Sequence, residues 1–169
     1  VTIQAINADG SLNLKTPLTY NHYGASSFTI NNNYGKLDAR TQVGHVNRNI
    51  QIVPGPDAGW GFTVYIYGFL DSTILRIGSA QLNGVQFQDG GQLDTLNSPL
   101  VFMNTVGGNY TSSVGDTSFV NCKANCLYVQ NAQNLSITNN VLYNAWVFGA
   151  QFTQIKSVTF SSNLIIGVD

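Results

Sequence analysis

Along most of the chain, apolar residues alternate with polar ones in runs of four to nine, and the runs are broken by Asn, Gly and Ser. A period of two predicts half-buried strands. VTIQAI opens the sequence, SFTINNN (27–33) and FTVYIYGFL (62–70) are longer strand-like segments, and shorter ones follow towards the C-terminus. VPGPDAGWG at 53–61 is the strongest turn signal between them.

Comparing the chain with itself separates a sandwich from a stacked repeat, because only the latter predicts a fixed period. LSITNNVLY (135–143) lies over VTFSSNLII (158–166), pairing Leu135 with Val158, Ile137 with Phe160, Asn140 with Asn163, Val141 with Leu164 and Tyr143 with Ile166. The offset is 23 residues. Each copy reads as a strand, a bend of one or two residues, and another strand. That is the pattern of a right-handed parallel β-helix of the pectate-lyase-like solenoid class, in which several coils must stack before any buries its apolar face. Asn suits the corner, since it tolerates left-handed backbone and its amide can bond the equivalent Asn one coil away. TSFVNC (117–122) and LNGVQF (82–87) look like weaker copies. The expected division is a β-rich lead-in or cap over 1–70, which would shield the first coil, followed by β-helix coils over 71–169.

Composition supports an all-β reading. Of 169 residues, 20 are Asn and 17 Gly, and the eight acids are all Asp. Charged residues make up only 9% of the chain, which disfavours coiled coils and helical bundles. The net charge of −1 comes with seven scattered basic residues, so there is no electrostatic footprint for nucleic acid or an anionic membrane. The longest apolar stretch, residues 62–70, is far below the roughly 20 residues that span a bilayer. The length suits one unit, and both ends read as cuts through strands, as in a fragment of a longer chain.

Three stretches, LNLKTPLTYNH (12–22), LDARTQVGHVNRNIQI (37–52) and LNGVQFQDGGQ (82–92), followed by NNVLYN and NLIIG, carry a resemblance. In that order they resemble the segment joining the eight-glycine domain to the parallel β-helix in fibrocystin-like cell-surface proteins and the related hyaluronan-degrading proteins. Arg40, Val43, Gly44, Arg48, Asn49 and Ile50 fit the second motif, with Gln42 in place of its acid; Gly84, Val85, Phe87, Gly91 and Gln92 fit the third. The resemblance implies an extracellular β-helix module. One departure matters more than the matches. Where that family carries two His flanking an aromatic residue, SPLVFMNTVGG keeps Pro99 and Phe102 but places Val101 and Met103 at the His positions. Neither side chain has a titratable proton or a nitrogen lone pair, so the chemistry of that pair is absent.

Glycan hydrolysis generally needs two carboxylates at matched distances. Asp89 and Asp94, with Arg76 or Arg48 as partners, are the weak candidates for a catalytic set; the alternative is that Asp beside Gly bonds a local turn. No Asp cluster recurs at coil spacing, which disfavours a calcium-dependent lyase. With only His22 and His45, a zinc site is not expected, and no nucleotide-binding motif occurs, so neither metal nor cofactor is expected. Cys122 and Cys126 could be joined across a bend, the alternative being two reduced core thiols. Asn109-Tyr-Thr111 and Asn134-Leu-Ser136 are acceptors for N-glycans if the protein is secreted. Tyr143, Trp146 and Phe148 lie between the two aligned repeats, where a loop could present them to a glycan or pack them under itself.

The expected function is therefore a non-catalytic structural or adhesive module of a cell-surface coat, appendage or filament glycoprotein. Its expected partners are neighbouring domains of its own longer chain or like subunits, together with covalent N-glycans and extracellular polysaccharide. The alternatives are a polysaccharide-active hydrolase or lyase of the hyaluronan type, and a non-catalytic glycan-binding module.

Overall fold

A computed structural model describes residues 1–22, 24, 28–31, 35–37, 41–57 and 59–168. The chain is all-β, and no helix occurs among the described residues. It divides into two compact units, Val1–Val43 and Gly44–Asp169.

In the first unit, β1 (Ile3–Ile6) and β2 (Leu12–Leu14) pair antiparallel, as do β3 (Phe28–Asn31) and β4 (Gly35–Leu37). The β1–β2 turn closes through Gly10, whose φ of +82° suits glycine, with its N–H donating to Asn7 O at 3.0 Å. Beside it, the Ser11 hydroxyl and then the Ser11 N–H donate to Asp9 and hold its carboxyl below the ordinary value. Arg40, one of the motif matches, lies outside the described residues.

The second unit contains β5 (Ile50–Ile52), β6 (Val64–Asp71), β7 (Ile74–Ile77), β8 (Gln81–Asn83), β9 (Val85–Gln88), β10 (Leu100–Thr105), β11 (Ser112–Gly115), β12 (Ser118–Cys122), β13 (Leu127–Thr138), β14 (Val141–Ala145), β15 (Ala150–Ser161) and β16 (Leu164–Val168). Two sheets form. One is five-stranded and wholly parallel, in the order β16-β14-β12-β9-β5. The other is a curled mixed sheet in which β13 pairs β10 along its first half and β11 along its second, with β15 beside its whole length. β6 continues this sheet beyond β10 and β8 beyond β11, while β7 adds an antiparallel hairpin to β6. The bend within β13 falls at Asn131 and Asn134, whose φ angles of +47° and +54° turn the strand without ending it.

Left-handed residues mark many of the corners. Asp89, Asn121, Asn144 and Gly167 occupy successive positions of the parallel sheet, with φ of 56°, 53°, 59° and 65°. Gly84, Asp116, Asn139 and Ser162 do the same where the chain passes between sheets. An L-residue pays about 1–2 kcal/mol for this backbone, which Asn and Asp offset through local hydrogen bonds. Asn144 Nδ2 donates to Asn121 Oδ1 at 3.0 Å, and Asn121 Nδ2 to Asp89 Oδ1 at 3.2 Å. Among the described residues, six of the chain's 20 asparagines take this left-handed backbone.

The core lies between the sheets. Phe87, Phe119, Leu100, Phe102, Leu127, Val129, Ile137 and Leu142 are buried there, and Phe87 stacks on Phe119 with centroids 5.0 Å apart. Each such side chain contributes about 1.5–3 kcal/mol relative to exposure. Residues 44–48 lie over the outer side of the parallel sheet. Val46 O accepts from the Ser118 hydroxyl, and Arg48 N–H donates to Gln86 Oε1 at 3.2 Å. Gly44 is required beneath this crossing, because a Cβ there would stand 2.8 Å from Val141 Cγ1.

The 23-residue offset appears as register: β14 pairs β16 with Val141 opposite Leu164, and β13 pairs β15 with Leu135 opposite Val158. TSFVNC and LNGVQF join the same ladders as β12 and as β8 with β9. Upstream the spacing lengthens to 27 residues between Asn104 and Asn131 and 32 between Ala80 and Ser112, because the intervening loops are longer. The units divide after Val43, and parallel pairing begins with β5 and β6, which the longer loops had hidden from a search at fixed period.

Candidate functional site

Turns that lead from the parallel sheet into the curled sheet gather on one side of the second unit. Residues 53–57 and 59–61 precede β6, 89–97 precede β10, 123–125 precede β13, and 146–149 precede β15. Gly61 and Gly91 bring the first two together: Gly61 abuts the Gly91 carbonyl so closely that a Cβ would collide with backbone, and Gly91 holds φ +89°. Its N–H donates to Phe62 O at 2.8 Å. The Lys123 N–H donates to Gly90 O at 2.8 Å, tying the third turn to the second. The Trp146 N–H donates to Cys122 O at 3.0 Å, tying the fourth to the third.

A disulfide closes the third turn. Cys122 and Cys126 are bonded, with Cα atoms 5.1 Å apart, and both are fully buried, so the alternative of two reduced thiols does not describe this structure.

Between these turns lies a cleft of about 200 Å³ lined by Gly59, Trp60, Gly61, Gly91, Gln92, Leu93, Lys123 and Trp146. Trp60 is 69% exposed and Trp146 45%. Gln92 Oε1 accepts from Asn97 Nδ2 at 2.8 Å, and the Tyr65 hydroxyl donates to Asn97 Oδ1, so this part of the wall is fixed by side-chain bonds. Among the described residues, no hydrogen bond or ion pair engages the Lys123 ammonium.

Of the three aromatic residues singled out in the sequence, only Trp146 lines this cleft. Tyr143 is on β14 and Phe148 beyond Trp146, exposed at 43% and 53%. Trp60, Lys123 and Gln92 stand outside the candidate contact set of Tyr143, Trp146 and Phe148. A Trp in the strongest turn signal and a Lys between two Cys are the signals that could have named them.

The carboxylate candidates are dispersed. Asp89 belongs to the corner ladder, accepting from Asn121 and, at 3.1 Å, from Gln88 Nε2. Asp94 sits in a turn with φ +58°. Arg76 pairs with Asp71 at 3.5 Å on the exposed β6–β7 hairpin, each side chain more than half exposed. Arg48 donates to the carbonyls of Asp116, His45 and Asn47 at 2.6, 2.7 and 2.9 Å, so its guanidinium is engaged in holding the 44–48 crossing. None of Asp89, Asp94, Arg76 and Arg48 lines the cleft. Among the described residues, no group of three His, Cys or Asp side chains could hold a metal ion. Val101 is buried and Met103 half-buried on β10, and Val101 stands in register between Tyr65 and Tyr128.

The two sequons differ. Asn109 is exposed in the loop between β10 and β11, whereas Asn134 is half-buried at the bend within β13. No helix of the described residues is long and apolar enough to cross a membrane. Comparison of the chain with models of protein families, with curated proteins and with solved structures gives no match.

Proposed function

We propose that the second unit is a right-handed parallel β-helix serving as a non-catalytic, extracellular structural or adhesive module, which associates with like subunits by adding coils at its end. The observation that carries this reading is the last layer. Among the described residues, β16 pairs only with β14 and β15 only with β13, so each has one strand edge with no described partner. The residues opposite the buried Leu142 and Ile137 are Ile165, 43% exposed, and Phe160, 37% exposed. An apolar end with open backbone donors and acceptors is a template for another strand layer. A like subunit suits it, because the 23-residue register and the Asn ladder already define where the next strands would lie.

The buried disulfide and the exposed Asn109 sequon favour an oxidising, extracellular setting. The resemblance to fibrocystin-like proteins points the same way. A hydrolase or lyase gains no comparable support, since the carboxylate candidates are spread over a corner ladder and a turn. Sedimentation velocity over a range of concentrations tests the reading: association is expected, weakened by Ile165→Lys, which places a charge on the open end while circular dichroism stays unchanged. A monomeric boundary at all concentrations for both proteins would refute it.

A further inference from the structure

The cleft between the turns has a composition that the stacking reading does not use. We propose that it binds one anionic sugar unit of a polysaccharide, a pyranose ring bearing a carboxylate or a sulfate.

Three features define the ligand. Trp60 and Trp146 contribute indole surface to one small space while remaining 69% and 45% exposed, which is unusual for the two largest side chains of a chain whose core has ample room for Phe. Flat apolar rings with a polar edge match the C–H faces of a pyranose. Lys123, a half-buried residue, brings an ammonium without an ion-pair partner among the described residues, and it is met best by an anion on the ring. Gln92 has its Oε1 taken by Asn97, which leaves Nε2 to donate to a hydroxyl or an anionic oxygen. At about 200 Å³ the cleft is smaller than the roughly 300 Å³ at which drug-sized pockets begin, so it suits a single ring.

The site is also built rigidly, as a recognition site must be. Lys123 stands inside the five-residue disulfide turn, Trp146 is hydrogen-bonded to Cys122, and the Gly61–Gly91 approach fixes the opposite wall. Little ordering entropy would be lost on binding. These residues come from four separate loops, and a structural role in the core would not require the two indoles, the ammonium and the amide to face the same space.

Because the chain contains only two Trp and both line the cleft, intrinsic emission reads the site directly. The folded protein is titrated with oligogalacturonate as the carboxylate probe, a sulfated galactan oligomer as the sulfate probe, and a dextran oligomer as the neutral control. A saturable emission change with either anionic probe, and none with dextran, is the expected result; the probe that saturates at lower concentration identifies the anion. Lys123→Gln should weaken that binding at least about fivefold, the loss of one charge-assisted hydrogen bond, and flatten its salt dependence. Trp60→Phe and Trp146→Phe, checked for folding by circular dichroism, should each weaken it as well. Absence of a saturable change with both anionic probes would overturn the proposal. So would dextran binding of equal strength, or unchanged affinity in Lys123→Gln.

Discussion

Asn140 and Asn163 stand one above the other, 23 residues apart, with the Asn140 backbone N–H and side-chain Nδ2 both donating to Asn163 Oδ1 at 2.9 Å. Asn140 is 1% exposed, accepts the Thr117 N–H at 2.9 Å and donates to Val114 O at 3.0 Å. One side chain thus ties three successive layers at the corner between the sheets. Asn140→Ala would leave Thr117 N–H and Val114 C=O without this partner in a dry environment, and a loss of about 2–4 kcal/mol is expected. Urea unfolding followed by circular dichroism measures it, and a loss below about 1 kcal/mol would show that the ladder is incidental.

Asn144 provides an independent check on the left-handed corners, with φ +59° and a side-chain bond to Asn121. A β-branched residue cannot take this backbone without strain, so Asn144→Val should cost more than about 2 kcal/mol. Asn144→Gly relieves the strain while losing the bond, and should cost clearly less. Equal losses in thermal denaturation would mean that the hydrogen bond alone matters.

How much of this was legible in the sequence depends on whether a feature repeats. Asn140 over Asn163 and the pairing of 135–143 with 158–166 could be read because parallel register places the same residue types at the same step of each layer. The 44–48 crossing and the cleft could not, because neither recurs. Gly44 and Arg48 were visible as motif residues, but nothing in a linear pattern says that they lie against Val141 and Asp116. Trp60 and Trp146 meet only through loops whose lengths break the period. Asp89 and Asp94 looked like a carboxylate pair by proximity in sequence, whereas the structure assigns one to a ladder and the other to a turn.

The short disulfide loop should contribute modestly. Closing it removes denatured-state entropy worth about 2 kcal/mol, so a reductant at neutral pH should lower the thermal midpoint by several degrees without unfolding the protein at room temperature. Unfolding at room temperature would mean that the bridge is essential to the turn.

The sequons should be used unequally if the protein passes through a secretory pathway. Asn109 is exposed in a loop, so peptide mass mapping after expression in a glycosylating host should find it largely occupied and Thr111→Ala should abolish that occupancy. Asn134, half-buried at φ +54°, is expected to be occupied less, because transfer there must precede folding of the β13 bend. Unmodified Asn at both positions would remove a main support for the extracellular reading.

The central proposal, that like subunits add strands beside β15 and β16, is tested most directly by negative-stain imaging of the purified protein. Stacked particles that lengthen into rods as concentration rises, and that disappear in Ile165→Lys, are the predicted result. Isolated particles of uniform size at every concentration, the same in wild type and variant, would contradict it.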